Sequence, residues 1–335
     1  MRRTIKTRRS GFHIFSTNNG TGRLRSFLCR KTAILRIPAL TVLLVLGFSL
    51  SAISRADTIS SYKPKPDPMP GGVAVIELPV SLGTEEEPVV YFQGRRVFVK
   101  NHPYNQKSDN RWITWVGIPL NTQPGKVPLL IEQPNGRNRE IMINIRPSKH
   151  SERYLVSRKP IQKNLSAAQQ QQIMNDADLI KRLTQQRSGL KPDTRPFMHP
   201  TRGEVIRPFG DQTYLNGELL DSHNGIDLSG QRANAPAGGK VVLIKDLFYG
   251  GKTVLIDHGR GLFTQYSHLA SVNVRVREGQ RIRRGEEIGK IGRSGHRIDI
   301  GKDYAADITQ PHLHWSVSLN GVFVNPELFL DKAAR

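Results

Sequence analysis

Apolar positions along this chain follow a strand rhythm in two regions, a helical rhythm in one and an unbroken run in another. Short stretches rich in Val, Ile, Phe and Trp recur at residues 73–78, 89–92, 96–100, 112–118, 127–131 and 140–145. Turn-forming groups such as Gln93-Gly94, Pro124-Gly125 and Asn135-Gly136 separate them, which predicts antiparallel strands in a small β-sandwich. Ser166 then opens a glutamine-rich stretch that reads as a helix over 166–187, with Ser166 as N-cap and Ile173, Met174, Ile180 and Leu183 on one apolar stripe. Beyond Pro196 glycine becomes frequent and strand-like runs return at 241–245, 252–257, 263–267, 281–284, 287–291 and 314–319, with residues 257–261 as a hairpin loop. The fold class predicted is mainly β: an N-terminal β-sandwich-like domain at 71–148, a connecting segment with its helix at 149–194, and a C-terminal antiparallel β-sheet domain at 195–331.

The unbroken run lies earlier. Residues 37–54 carry no charge and follow a stretch in which Arg2, Arg3, Lys6, Arg8, Arg9, Arg23, Arg25, Arg30, Lys31 and Arg36 meet no acid. A run of about 18 residues with small residues at Ser54 and Ala56 fits a cleaved export signal and also an uncleaved membrane anchor. Both readings stand for residues 1–56, and both put the N-terminus in the cytoplasm and the rest of the chain in the cell envelope. A Pro-rich linker follows at 57–70. The single cysteine, Cys29, precedes the run, so no disulfide forms within the exported part.

Much of the formal charge of +22 belongs to that leading stretch. No nucleic-acid recognition module is visible, and the remaining basicity suits anionic wall or lipid-headgroup surfaces instead. Trp112 and Trp115 read as core aromatics rather than a carbohydrate platform. His102 and His150 stand alone and read as hydrogen-bonded or solvated side chains.

The chemistry lies downstream, where His223, His258, His268, His296, His312 and His314 cluster. In His312-Leu313-His314 a period of two puts both imidazoles on one face of a starting strand. In His223-Asn224-Gly225-Ile226-Asp227 an imidazole and a carboxylate supply ligand types that zinc favours, on a loop or strand entry rather than a helix. Each motif alone is weak; together in a glycine-rich β-domain they reinforce one another.

These pieces stand in the order of a known family. Pro208-Phe209-Gly210, Leu215-Asn216-Gly217, the 223–228 motif, Ala235-Pro236-Ala237-Gly238-Gly239, residues 254–262, Thr264-Gln265-Tyr266-Ser267-His268-Leu269 and Pro311-His312-Leu313-His314-Trp315 together resemble the lysostaphin-like, or LytM-type, zinc peptidoglycan endopeptidases. The resemblance implies one Zn2+ bound by His223, Asp227 and His314, with acid–base work by His268 and His312. It leaves open which of the two is the base. Three protein ligands leave a zinc position for water, whose acidity then makes hydroxide available near neutral pH. The resemblance also implies that Asn216 is a latent zinc ligand or a groove or turn residue.

One departure is visible. Gly292-Arg293-Ser294-Gly295 is followed by residues 296–310 before the His-x-His strand, an insertion expected at the rim of the cleft. His296 and Tyr304 are its candidate substrate contacts, whereas His258 reads as a turn residue. The expected activity is zinc-dependent hydrolysis of peptidoglycan peptides, of the DD-endopeptidase kind. The alternative is a non-catalytic activator of other wall hydrolases, although relatives of that sort usually lose ligands and this chain keeps them.

Overall fold

The expected strands form because their apolar faces find three separate cores. The computed structural model describes residues 62–78, 86–101, 112–132, 136–156, 165–193, 195–296 and 310–331. The export or anchor segment, His102, Tyr304 and most of the 296–310 insertion lie outside the described residues. All described residues belong to one unit, Arg55–Arg335.

The N-terminal part is two sheets face to face. Strands Val73–Glu77, Trp112–Gly117 and Phe98–Asn101 make a three-stranded antiparallel sheet, and Arg95–Arg96, Val89–Phe92, Gly125–Glu132 and Asn138–Ile145 make a four-stranded one. Ala74, Val99, Trp112 and Val116 of the first meet Val90, Phe92, Leu129, Ile131 and Ile143 of the second in one apolar core.

Strand Trp112–Gly117 is buried at every position, because its other face packs on the C-terminal sheet. There Val73, Phe98, Ile113 and Trp115 share a core with Leu313, Trp315, Val317, Leu319, Val324 and Phe329. Trp115 stacks on Phe98 with ring centroids 4.3 Å apart and meets Phe329 edge-on at 6.4 Å. Lys100 places its ammonium 4.7 Å over the Trp115 ring, and burial pushes its pKa down to about 8. Both tryptophans are therefore core residues, each in a different core. Arg187 and Arg260, from beyond the sandwich, both ion-pair with Glu87 and donate to the carbonyls of Val97 and Val99.

The C-terminal part is a ten-stranded sheet whose central order is Arg281–Ile282, Gly239–Leu247, Gly251–Gly259, Leu262–Val272, Leu313–Leu319, Ile226–Leu228, Val205–Arg207. Its pairings are antiparallel. The expected loop over 257–261 is tighter than the sequence suggests: the strands run to Gly259 and resume at Leu262. Only Arg260 and Gly261 turn, at φ 55° and 88°, the positive pair a two-residue hairpin demands. His258 thus lies inside the sheet, fully buried, with Nδ1 2.8 Å from Gly238 O and Nε2 2.8 Å from Thr264 Oγ1.

The helix spans Ala167–Thr184, with Ser166 and Gln169 in a reciprocal capping box. Leu179, Ile180 and Leu183 pack on Leu243, Leu255 and Phe263, whereas Met174 points to solvent. Of the expected stripe, Ile180 and Leu183 thus reach the apolar patch and Met174 does not. The stretch before the helix contributes strand Glu152–Leu155, which pairs in parallel with Gln212–Leu215 and so extends the hairpin Gln212–Leu215/Glu218–Ser222.

Two outcomes follow. Trp115→Ala should cost about 3–5 kcal/mol in equilibrium denaturant unfolding, the usual range for emptying an aromatic site; a loss under about 1 kcal/mol would contradict the shared core. Burial pushes the pKa of His258 down to about 4. The unfolded chain therefore holds a proton that the folded one refuses between that value and about 6.5. Stability should be full above pH 6.5 and fall by up to about 3 kcal/mol toward pH 4 from this group, with a shallower slope in His258→Gln.

Candidate metal centre

Three side chains from two strands and one loop meet at a point. Asp227 and His314 are direct cross-strand partners of Ile226–Leu228 and Leu313–Leu319. His223 precedes Ile226–Leu228 in a loop fixed by two backbone bonds, Gly210 N–H to His223 O at 2.8 Å and His223 N–H to Asp211 O at 3.0 Å. Asp227 Oδ1 lies 3.1 Å from His223 Nε2 and 2.9 Å from His314 Nδ1, and the two nitrogens are 3.0 Å apart. Among the described residues this is the cluster able to hold a metal ion.

The surrounding bonds assign the protons. His223 Nδ1–H donates to Pro208 O at 2.7 Å, which leaves Nε2 with its lone pair. His314 Nε2–H points at Asn224 Oδ1, 3.1 Å away, with Ser316 Oγ at 2.9 Å, which leaves Nδ1 with its lone pair. Three acceptors therefore face one another, an arrangement that a cation or a proton must neutralise. Two imidazoles and a carboxylate are a zinc donor set, and donors on bonds of about 2.0–2.2 Å in a tetrahedral site stand roughly 3.3 Å apart. The residues fit the ion. In the metal-free site burial alone would push the Asp227 carboxyl up, but a proton on the facing His223 or His314 nitrogen holds it well below the usual carboxylate range, the role that a cation takes over.

Close packing makes room for nothing else. A Cβ at Gly225 would stand 2.6 Å from Ser316 Oγ, 2.7 Å from Trp315 O and 2.9 Å from His314 Cε1.

His268 and His312 stand beside the cluster. Their rings are 4.9 Å apart, and the His268 ring is 6.0 Å from that of His314. His312 lies just before the strand rather than within it, bridged to Gly292, and donates from Nδ1 to Gln310 O at 2.9 Å. His268 takes φ 63° inside strand Leu262–Val272, where the pairing with Gly251–Gly259 slips. For a non-glycine residue that backbone is strained by about 1–3 kcal/mol. It is held by His268 N–H to Gly250 O at 2.7 Å and by Nδ1–H to Ser294 O at 2.9 Å. Burial pushes its pKa down to about 4, with help from the neighbouring His314 and His312. Both rings thus direct Nε2 away from their backbone anchors as an acceptor.

The other expected residues separate. Asn216 occupies the tip of the hairpin at φ 50°, with its N–H on Leu155 O at 2.9 Å, a conformation that by itself suits asparagine. His296 is exposed, with its ring 4.6 Å from that of Phe248. Sequence reasoning missed Asn224, Ser316 and Ser294. Ser316 was findable, since two residues past His314 it shares that residue's face.

The family model "Peptidase family M23" matches residues 221–326, and "Peptidase family M23 N-terminal domain" matches 66–145. The fold is similar to the crystal structure of a Pseudomonas aeruginosa protein assigned to peptidase M23, at 31% identity and a TM-score of 0.60, covering 78% of this chain and 95% of that one. The peptidoglycan DD-endopeptidase ShyA of Vibrio cholerae is 33% identical over 106 residues, which are 31% of this chain and 22% of that protein. The murein hydrolase activator EnvC of Escherichia coli is 29% identical over 153 residues, 45% of this chain and 33% of that protein. The chain thus spans a third or less of the length of these two curated relatives.

If Gly225 is the space that His314 needs, Gly225→Ala should weaken zinc affinity by about 10–100-fold, the loss typical of disturbed ligand support. Competition titration with a chromophoric chelator checks it, and an unchanged affinity would contradict the packing argument.

Proposed function

Because the chain belongs to peptidase family M23, the lysostaphin-like family, we propose that it is a zinc metallo-endopeptidase that hydrolyses peptide bonds of bacterial peptidoglycan. The observation that carries this reading is the convergence of three unprotonated donors beside two further imidazoles whose Nε2 atoms are free of backbone anchors. The similarity to DD-endopeptidases supports the choice of substrate.

His223 Nε2, Asp227 Oδ1 and His314 Nδ1 would hold the ion. Zinc bound there supplies a Lewis acid that polarises the scissile carbonyl and acidifies water. His268 and His312 keep their Nδ1–H bonds to backbone carbonyls, so each offers Nε2 to a water proton. One ring takes that proton and hands it to the departing amine. The other, once protonated, hydrogen-bonds the oxygen on which negative charge develops. His296 at the lip and Tyr304 within the insertion are assigned to substrate contact, and Asn216 to the groove wall. The site of action is the envelope side of the membrane, where basic residues favour anionic wall and headgroup surfaces and the N-terminal segment, if retained, anchors the chain.

A second reading, a non-catalytic activator of wall hydrolases, draws on the similarity to EnvC. In that case the metal cluster is dispensable.

Mass spectrometry of products from purified peptidoglycan separates the two. The zinc-loaded chain should release cleaved cross-links, lose that activity with a chelator and regain it with zinc. His268→Ala should keep the metal and lose at least about 100-fold in turnover, the usual worth of a positioned acid–base group. Absence of cleavage at full zinc loading, with envelope function intact in His314→Ala, would favour the activator.

A further inference from the structure

A carboxylate sits where the helix should be apolar. Asp176 follows Ile173 by three residues and precedes Ile180 by four, so it lies on the packed side of Ala167–Thr184. It is buried, 7% exposed. Its Oδ2 accepts the Phe248 N–H at 2.8 Å and its Oδ1 pairs with Lys245 Nζ at 3.2 Å. The helix lies outside both segments matched by the family, 66–145 and 221–326.

Phe248 begins the turn on which His268 hangs. Gly250 O takes the His268 N–H at 2.7 Å, and Phe248 O takes the His296 N–H at 2.6 Å. The same turn interlocks with the one that holds the His268 ring. A Cβ on Gly251, at φ 58°, would fall 2.3 Å from Ser294, and one on Gly295 would fall 2.2 Å from Tyr249 O. Ser294 Oγ accepts Lys252 N–H at 2.8 Å and donates to Leu269 O at 2.7 Å, while its carbonyl anchors His268 Nδ1. His268 is therefore gripped at backbone and ring by two interlocked turns, and Asp176 ties the outer one to the helix.

We infer that Asp176 is a positioning residue for the reaction: through the Phe248 N–H it fixes the turn that keeps His268 in its positive-φ conformation with Nε2 toward the metal cluster. This rests on the reading of His268 as an acid–base group. The helix then belongs to the catalytic unit instead of merely connecting two domains. Loss of the acceptor leaves the Phe248 N–H without its bond, frees the turn and lets the strained His268 backbone relax, so turnover falls while binding of substrate and metal persists.

The test uses the full-length chain with 15N-labelled histidine. Asp176→Ala should lower kcat by about 10–100-fold with KM little changed, as expected of a displaced catalytic group. It should leave zinc content unchanged and move the imidazole resonances of His268 but not those of His258. Asp176→Asn retains an acceptor for Phe248, and Lys245→Met removes only the ion pair; both should stay within about threefold of the parent in kcat with His268 resonances in place. Parent-like turnover and unmoved His268 resonances in Asp176→Ala would overturn the inference. So would equal impairment in Asp176→Asn or Lys245→Met, which would make the charge pair the relevant feature. The resonances need no substrate, so a chain that cleaves no wall peptide would refute the hydrolase while the coupling was still measured.

Discussion

Three lone pairs held about 3 Å apart repel one another, and the rest of the site is built to keep them there. Asp227 and His314 are fixed by strand register, since a slip of one residue between their strands would turn one of them away from the other. His223 is fixed by its loop and by the Pro208 carbonyl, and His314 by Asn224 and Ser316. Such an arrangement carries an electrostatic cost until a cation enters. It therefore needs a scaffold stiffer than the repulsion it holds.

That stiffness comes from the far side of the sheet. Leu313, Trp315, Val317 and Leu319 alternate with His314, Ser316 and Ser318, and all four apolar residues enter the core that Trp115 and Phe98 share. The N-terminal sandwich thus backs the strand that carries His314. Arg187 and Arg260 on Glu87 add polar ties between the same regions. On the side of the three donors the support is of a different kind, with interlocked turns and backbone carbonyls that aim the rings of His268 and His312. Apolar burial supplies rigidity behind the sheet, and directional hydrogen bonds supply aim in front of it.

Much of this was legible in the chain. The apolar runs at Val89–Phe92 and Glu287–Ile291 mark those strands to the residue, and the His-x-His spacing agrees with two rings that both face His268, at 4.9 Å for His312 and 6.0 Å for His314. What stayed hidden depends on contacts distant in sequence. Trp112–Gly117 reads as an ordinary strand, though its near-continuous apolar run, broken only by Thr114, reflects burial on both faces. His258 reads as a turn residue because the glycines after it suggest a longer loop, yet the strand runs on to Gly259. The positive φ of His268 had no sequence signal, since only the carbonyls of Gly250 and Ser294 explain it. Glu152–Leu155 shows no apolar alternation and pairs only because the hairpin offers an edge. Asp176 did carry a signal, a charge on the packed side of a helix.

Among the described residues, His223, Asp227 and His314 form the three-donor cluster fit for a metal ion. Zinc-edge anomalous diffraction from crystals grown with equimolar zinc tests it most directly. One dominant peak bounded by His223 Nε2, Asp227 Oδ1 and His314 Nδ1 is expected. Full zinc occupancy elsewhere, with no peak among those three atoms, would contradict it.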